Sequence, residues 1–442
     1  MNRNTSRRNL DSNADSSDLF RIARQYIPGG VSRNTLYREP HPDYADFGKG
    51  CFVTDVQGVQ RIDMANNMAS LIHGHAHPEI VAAVSEQLKR GSAFTMATEP
   101  EIQLAKLLCD RVPWFEKIRF MNSGTEAVMA AIKAARAFTG RAKVAKAEGT
   151  YHGTYDYAEV SQNSPPDQWG SAEQPNSVPV ASGTPQNALN DVVVFPFNDL
   201  ERTVDLLNAN ADELACILID VIPQRAGLSA AAPEYINSIR DWATRHNVVL
   251  IFDEVISFRM ALSGAAEWYD VKPDLTTLGK IIGGGFPVGA LAGEERIMSV
   301  MDPLESTLPF PWSGTFAANP ITMTAGRMAM QLYDQAAIDR LNQLGELART
   351  EIAGLIKNRG IQASVTGAGS MFRIHPKSKA PTDYRSTWQD DREKQKTKRL
   401  VDYMYDQGFM LFRTCTAALS TATTESAIEQ FVKTLEQGFK AW

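Results

Sequence analysis

The stretch Ala215–Glu254, ACILIDVIPQRAGLSAAAPEYINSIRDWATRHNVVLIFDE, holds two apolar runs, Ala215–Ile222, interrupted only by Asp220, and Val248–Phe252, on either side of a helical pattern at Pro233–His246. Apolar runs without alternation are what strands look like when helices cover both faces of a parallel sheet. The texture repeats upstream. Lys117–Met121 (KIRFM) leads through Ser123-Gly124 into a helical stretch over Thr125–Phe138, and Val144 lies in another short run. Asp191–Phe195 (DVVVF) then precedes a helical pattern at Leu200–Leu207. The pattern predicts an α/β core with a mainly parallel sheet.

Outward from that core the texture changes. Ser161–Asn190 is rich in Ser, Pro, Gln, Asn and Gly, lacks periodicity, and reads as a long surface loop. Beyond Asn319, amphipathic helices are expected at about 320–334, 336–358 and 390–407, with a last one from Thr424. Strands are expected at Ala363–Val365 and Met371–Ile374, separated by Gly-Ala-Gly-Ser at 367–370. The expected organisation is a polar arm over 1–20, an N-terminal segment over 21–71 packing across both domains, a large domain over 72–318 and a smaller α+β domain over 319–442. The 442 residues carry 45 Lys+Arg against 51 Asp+Glu, a net charge of −6, with 43% hydrophobic residues. That balance, with no long basic run, argues against nucleic acid as the main partner. No apolar stretch approaches the ~20 residues that a membrane helix needs. Four scattered cysteines without a CxxC suit a reducing cytoplasm, the expected location.

The chemistry-bearing residues fall into three pieces. Asn122-Ser123-Gly124-Thr125 joins a strand to a helix, so backbone amides, helix dipole and hydroxyls can form an anion cradle; a plain Ser123 cap is the simpler reading of that piece alone. Asp253-Glu254 ends the most apolar run, where open α/β sheets bind ligands. Lys280 stands in LGKIIGGG, among apolar residues and glycines, where desolvation would make its amine nucleophilic. Together a phosphate cradle, a strand-end carboxylate and a buried lysine are what pyridoxal 5'-phosphate (PLP) chemistry requires. There is no GxGxxG after a strand, no P-loop at Lys280 and no HExxH. The alternating His73, His75 and His77 in HGHAHP read as a turn into a helix rather than as metal ligands.

The segments MNSGTEAVMAAIKAARAFTGR, EGTYHGTYD, LIFDEV, PDLTTLGKIIGGGFPVGALAG and WSGTFAANP closely resemble class III aminotransferases, most of all the branch of glutamate-1-semialdehyde aminomutases and β-amino-acid aminotransferases. The resemblance runs from about Pro28 to the C-terminus and implies the aspartate aminotransferase-like fold of PLP-dependent transferases. It implies that Lys280 is the Schiff-base lysine and Asp253 the partner of the pyridine nitrogen. Val255 and Tyr151 are implied on the two ring faces, and Ser123, Gly124 and Thr125 at the phosphate. His152 and Glu126 belong to the same motifs. Thr315, in SGTF, is implied to reach the cofactor of a neighbouring subunit, hence a homodimer.

The chain also departs from the aminomutases. Cys415 aligns with their glutamate near the C-terminal strand, Met68 with a tryptophan near the substrate, and the DEV segment is one residue shorter. Asp220-Val221 replaces the usual Glu-Pro. Arg33 falls where β-amino-acid aminotransferases place an arginine for the substrate carboxylate, and Arg413 is a second candidate. The expected activity is ping-pong transfer of an amino group between a small amino acid or amine, β-amino acids included, and a keto acid. The alternatives are an aminomutase, an epimerase or decarboxylase on the same scaffold, and a catalytically silent PLP-binding regulator.

Overall fold

The computed structural model describes residues 14–442, so residues 1–13 of the expected arm lie outside the described residues. The expected arm ends before residue 20. A helix, Ser16–Ala23, starts behind Asp15, whose side chain accepts from the Asp18 amide. Ser16 is buried and donates to Gln57 Oε1 at 2.9 Å, a polar contact that helps anchor the helix.

Three short strands follow, β1 (Ala45–Lys49), β2 (Phe52–Asp55) and β3 (Gln60–Asp63), in an antiparallel meander. Their sheet is completed from the far end of the chain by Phe409–Met410, parallel to β3.

The central sheet contains β4 (Lys117–Met121), β5 (Lys143–Ala147), β6 (Val192–Phe195), β7 (Leu214–Ile219), β8 (Val249–Asp253), β9 (Leu275–Gly279) and β10 (Gly289–Gly293). Its order is β4-β10-β9-β8-β7-β5-β6. All pairings are parallel except those of β10, which runs antiparallel to β4 and β9. Strands β7 to β10 are buried at every position, which explains the apolar runs of β7 and β8. Helices Gly124–Thr139 and Pro233–His246 bury apolar stripes in two separate core clusters. The expected loop, residues 161–190, contains a short helix, Gln186–Asn190, and docks through Trp169 on Tyr384 and Trp388.

Helices Pro320–Leu332 and Gln335–Arg359 lead into a three-stranded antiparallel sheet of β11 (Ser364–Thr366), β12 (Met371–His375) and Thr416–Ala418. Helix Pro320–Leu332 packs against the turn Lys280–Gly283 and so backs the lysine. A Cβ at Gly284 would strike the Ala325 backbone, so this glycine permits close packing of the lysine turn. The HGHAHP histidines go separate ways. His73 contacts Thr421 Oγ1 and the Ala329 carbonyl, His75 pairs with Asp63, and His77 precedes helix Pro78–Arg90 without a side-chain cap bond. No helix among the described residues is long and apolar enough to cross a membrane.

Candidate active site

The carboxyl ends of five strands meet over one cavity of about 360 Å³. Strand β4 delivers Ser123-Gly124-Thr125, β5 the stretch to Tyr151 and His152, β7 Asp220, β8 Asp253 and Val255, and β9 Lys280. The edge where strands end is where backbone turns away and side chains of different strands converge.

At one end of the cavity, helix Gly124–Thr139 begins. Ser123 Oγ accepts from the Glu126 amide (3.2 Å) and Glu126 Oε2 from the Asn122 amide (2.6 Å), so the simple capping reading of Ser123 is also correct. No described residue takes the Gly124 or Thr125 amide, which leaves two donors at a helix N-terminus for a phosphate. A Cβ at Gly124 would lie 3.0 Å from both Val255 methyls, so only glycine lets the helix start close over that side chain.

Asp253 is buried and held from three sides. Its Oδ1 accepts from Thr277 Oγ1 (3.1 Å) and the Val255 amide (3.1 Å), while Oδ2 lies 2.7 Å from His152 Nδ1. A carboxylate only accepts, so His152 carries its proton on Nδ1 and turns Nε2 toward Thr150 Oγ1 at 2.9 Å. Burial lowers the His152 pKa, against the pull of Asp253, and favours the neutral ring. Glu254 points elsewhere. Its carboxylate takes the Ala265 and Ala266 amides, and burial raises its pKa to about 8. Of the Asp253-Glu254 pair, only Asp253 serves the cavity.

Lys280 stands at φ +47 in the turn after β9. Its remaining exposure is toward the cavity it lines, and desolvation depresses its pKa, with Asp253 and Asp220 opposing. Asp220, on the neighbouring strand end, has its carboxyl raised to about 7 by burial and then by Asp253. Tyr151 forms an open wall, with the Arg225 guanidinium 5.1 Å from its ring centroid.

Three expected residues stand elsewhere. Met68 does not line the cavity; Asn67 and Ser70 do. Residues Asn66 to Ala69 form a left-handed turn with φ between 44° and 66°, each costing about 1–2 kcal/mol. The Asp63 carboxylate takes the Ala65 and Asn66 amides, and Asn66 Nδ2 donates to the Ala418 carbonyl, which holds the turn. That twist packs Met68 against a core cluster instead. Arg413 lines a different cavity. Thr315 is exposed and outside the lining of this chain's cavity. Arg33 reaches the rim, with Nη1 donating to Asn67 Oδ1 at 2.7 Å. Asn67 and Ser70 carry no motif of their own, and Thr277 lies within the PDLTTLGK segment without a mark that sets it apart. Asp220 could have been found from its place at the end of an apolar run, as Asp253 was.

The lysine, the held carboxylate, the two free amides and the walls of Tyr151 and Val255 fit a phosphorylated pyridine aldehyde. Comparison with known proteins agrees. The family model described as "Aminotransferase class-III" matches residues 39–437. A glutamate-1-semialdehyde 2,1-aminomutase of Methanothermobacter thermautotrophicus is 40% identical over 391 residues, covering 88% of this chain and 89% of that one. An omega-transaminase from Sphaerobacter thermophilus superposes with a TM-score of 0.94 at 44% identity, over 96% and 97% of the two chains. A β-phenylalanine aminotransferase from Variovorax paradoxus gives a TM-score of 0.86 at 30% identity, over 96% and 93%.

Proposed function

The chain belongs to the class III aminotransferases, PLP-dependent enzymes, and from that membership we propose that it transfers the amino group of a small β-amino acid to a keto acid. The observation that carries the substrate class is Arg33, bonded to Asn67 on the cavity rim, where its planar guanidinium can take a carboxylate in bidentate fashion. When bound, PLP supplies the electron sink for the substrate carbanion. The Gly124 and Thr125 amides would hold its phosphate, Tyr151 and Val255 would flank its ring, and Asp253, fixed by His152 and Thr277, would keep its pyridine nitrogen protonated. The depressed Lys280 amine acts as nucleophile, then moves a proton to and from the substrate carbon as general base and acid.

Thr315 completes the phosphate site of a partner subunit in this reading, which makes the enzyme a homodimer. Support comes from the exposed apolar side chains near it in sequence, Leu304 at 91% and Phe316 at 60%, which call for cover. All four cysteines are free, which supports a reducing, cytoplasmic setting.

A donor–acceptor panel followed by the cofactor's absorbance tests the substrate class. Conversion to the amine form with β-amino acids, and not with diamino or semialdehyde compounds, is expected. The opposite pattern would establish aminomutase activity, the reading favoured by the name of the 40%-identical relative. Against that second reading, Cys415 is buried with its thiol pushed up to about 12, and it lines no part of the cavity. Lys280→Ala should abolish turnover and the borohydride-fixed link to the cofactor; normal transamination by this variant would sink the assignment.

A further inference from the structure

A second cavity, of about 510 Å³, lies between the N-terminal segment and the C-terminal part of the chain and shares no lining residue with the Lys280 cavity. Arg373, on β12, contributes a side chain that is only 4% exposed by residue. Its Nη1 donates to the Gln224 carbonyl at 2.7 Å, and its Nε has no partner. Among the described residues no carboxylate lies within ion-pair distance of it. Its titratable neighbours are the Cys415 thiol, neutral because burial raises it to about 12, and the His375 ring, neutral because burial and Arg373 itself lower it to about 3. Burial, opposed by Cys415, lowers Arg373 to about 10, so the guanidinium stays charged at neutral pH.

The rest of the lining adds to this positive charge. Arg413 is exposed at the same cavity and also lacks a carboxylate partner among the described residues. Arg38 and Lys398 share one carboxylate, Asp402, at 2.6 and 2.7 Å. Lys394 joins them and pairs with Asp391 at 3.3 Å, and Glu39, 3.9 Å from Lys398, is the other acid of the lining. With Asp391 counted, the five cations of the lining meet three carboxylates, an excess of two positive charges within a chain of net charge −6. A buried, unpaired guanidinium is destabilising unless an anion meets it.

We propose that this cavity binds a small multivalent oxyanion, a phosphate or a short di- or tricarboxylate, with Arg373 and Arg413 as its main donors. The site is joined to the cofactor cavity through one turn. Gln224 accepts from Arg373, donates to Thr414 Oγ1 of the second cavity at 2.7 Å, and is followed by Arg225, which stacks on Tyr151. An anion bound there steadies the turn that seats Tyr151. These observations do not depend on the substrate class proposed above.

The experiment uses PLP-saturated enzyme, so that the cofactor's own phosphate site is filled. Inorganic phosphate and citrate are titrated in separate arms by calorimetry, with ionic strength held constant by chloride. Saturable binding is expected. Arg373→Met should weaken it at least about 10-fold, the loss of a hydrogen bond to a charged group. Because Arg373 is buried, the exposed Arg413→Ala serves as a second variant, with its fold checked by circular dichroism, and should weaken binding as well. Binding of phosphate alone, citrate alone or both supports the site and names its ligand class. Absence of saturable heat with either anion, affinities unchanged in both variants, or competition with the amino donor would overturn it.

Discussion

At the scale of single residues, the site is organised by two carboxylates on neighbouring strands. Ile219 pairs with Phe252 in the ladder, so the residues that follow, Asp220 and Asp253, stand side by side. Asp253 collects three hydrogen-bond donors, whereas Asp220 Oδ1 receives only the Ile222 amide. The poorer partner of such a pair is the one that keeps its proton. Burial and Asp253 raise Asp220 to about 7, above its ordinary value of 3.8, so the folded chain binds that proton more tightly than the unfolded chain. Its contribution to stability is therefore complete below about pH 4 and is lost as pH rises toward about 7. Asp220→Asn should widen the melting-temperature gap in its own favour across that window and hold it constant above. A parallel pair of curves would refute the shift. Lys280, Asp253, Gly124 and Tyr151 were legible because each sits in a short motif whose neighbours state its surroundings. Met68 and Arg413 stand outside the cavity because a left-handed turn at 66–69 and a tight turn at 413–414 decide where those side chains go.

At the scale of elements, β10 shows how closely the cradle is built. Leu275–Gly279 (LTTLG) and Gly289–Gly293 (GALAG) carry no β-branched or aromatic run long enough to mark them as strands, yet both lie inside the sheet. Small residues are required there. A Cβ at Gly289 would collide with the carbonyl of Ser123, the residue that caps helix Gly124–Thr139. Gly289→Ala should push that helix start away and cost at least about 2 kcal/mol, in line with other overpacked sites. Melting of the holoenzyme and retention of PLP on gel filtration measure the two effects. Retained cofactor at wild-type stability would show that the contact can relax. The helices, by contrast, were easy to see. Asp334, Asp390 and Thr424 each cap one with a side-chain oxygen, so their starts are written locally.

For the whole molecule, the proposed homodimer makes a direct prediction. If Thr315 serves the partner's cofactor, each active site draws Lys280 from one chain and Thr315 from the other. Mixing Lys280→Ala chains with Thr315→Val chains under refolding conditions should restore part of the activity, because one of the two sites in each mixed dimer is intact. No recovery would mean that Thr315 serves its own chain. The α/β core and the cofactor chemistry could be read from residue order, because buried parallel strands and a helix N-terminus leave local marks: apolar runs, a capping serine, a glycine where backbone must come close. The joining of the N-terminal meander to Phe409–Met410, the turn that hides Met68, and the gathering of Arg373 with Arg413 depend on contacts between segments far apart in the chain. No local pattern encodes such contacts; packing and the pairing of buried polar groups select them only when the chain is folded.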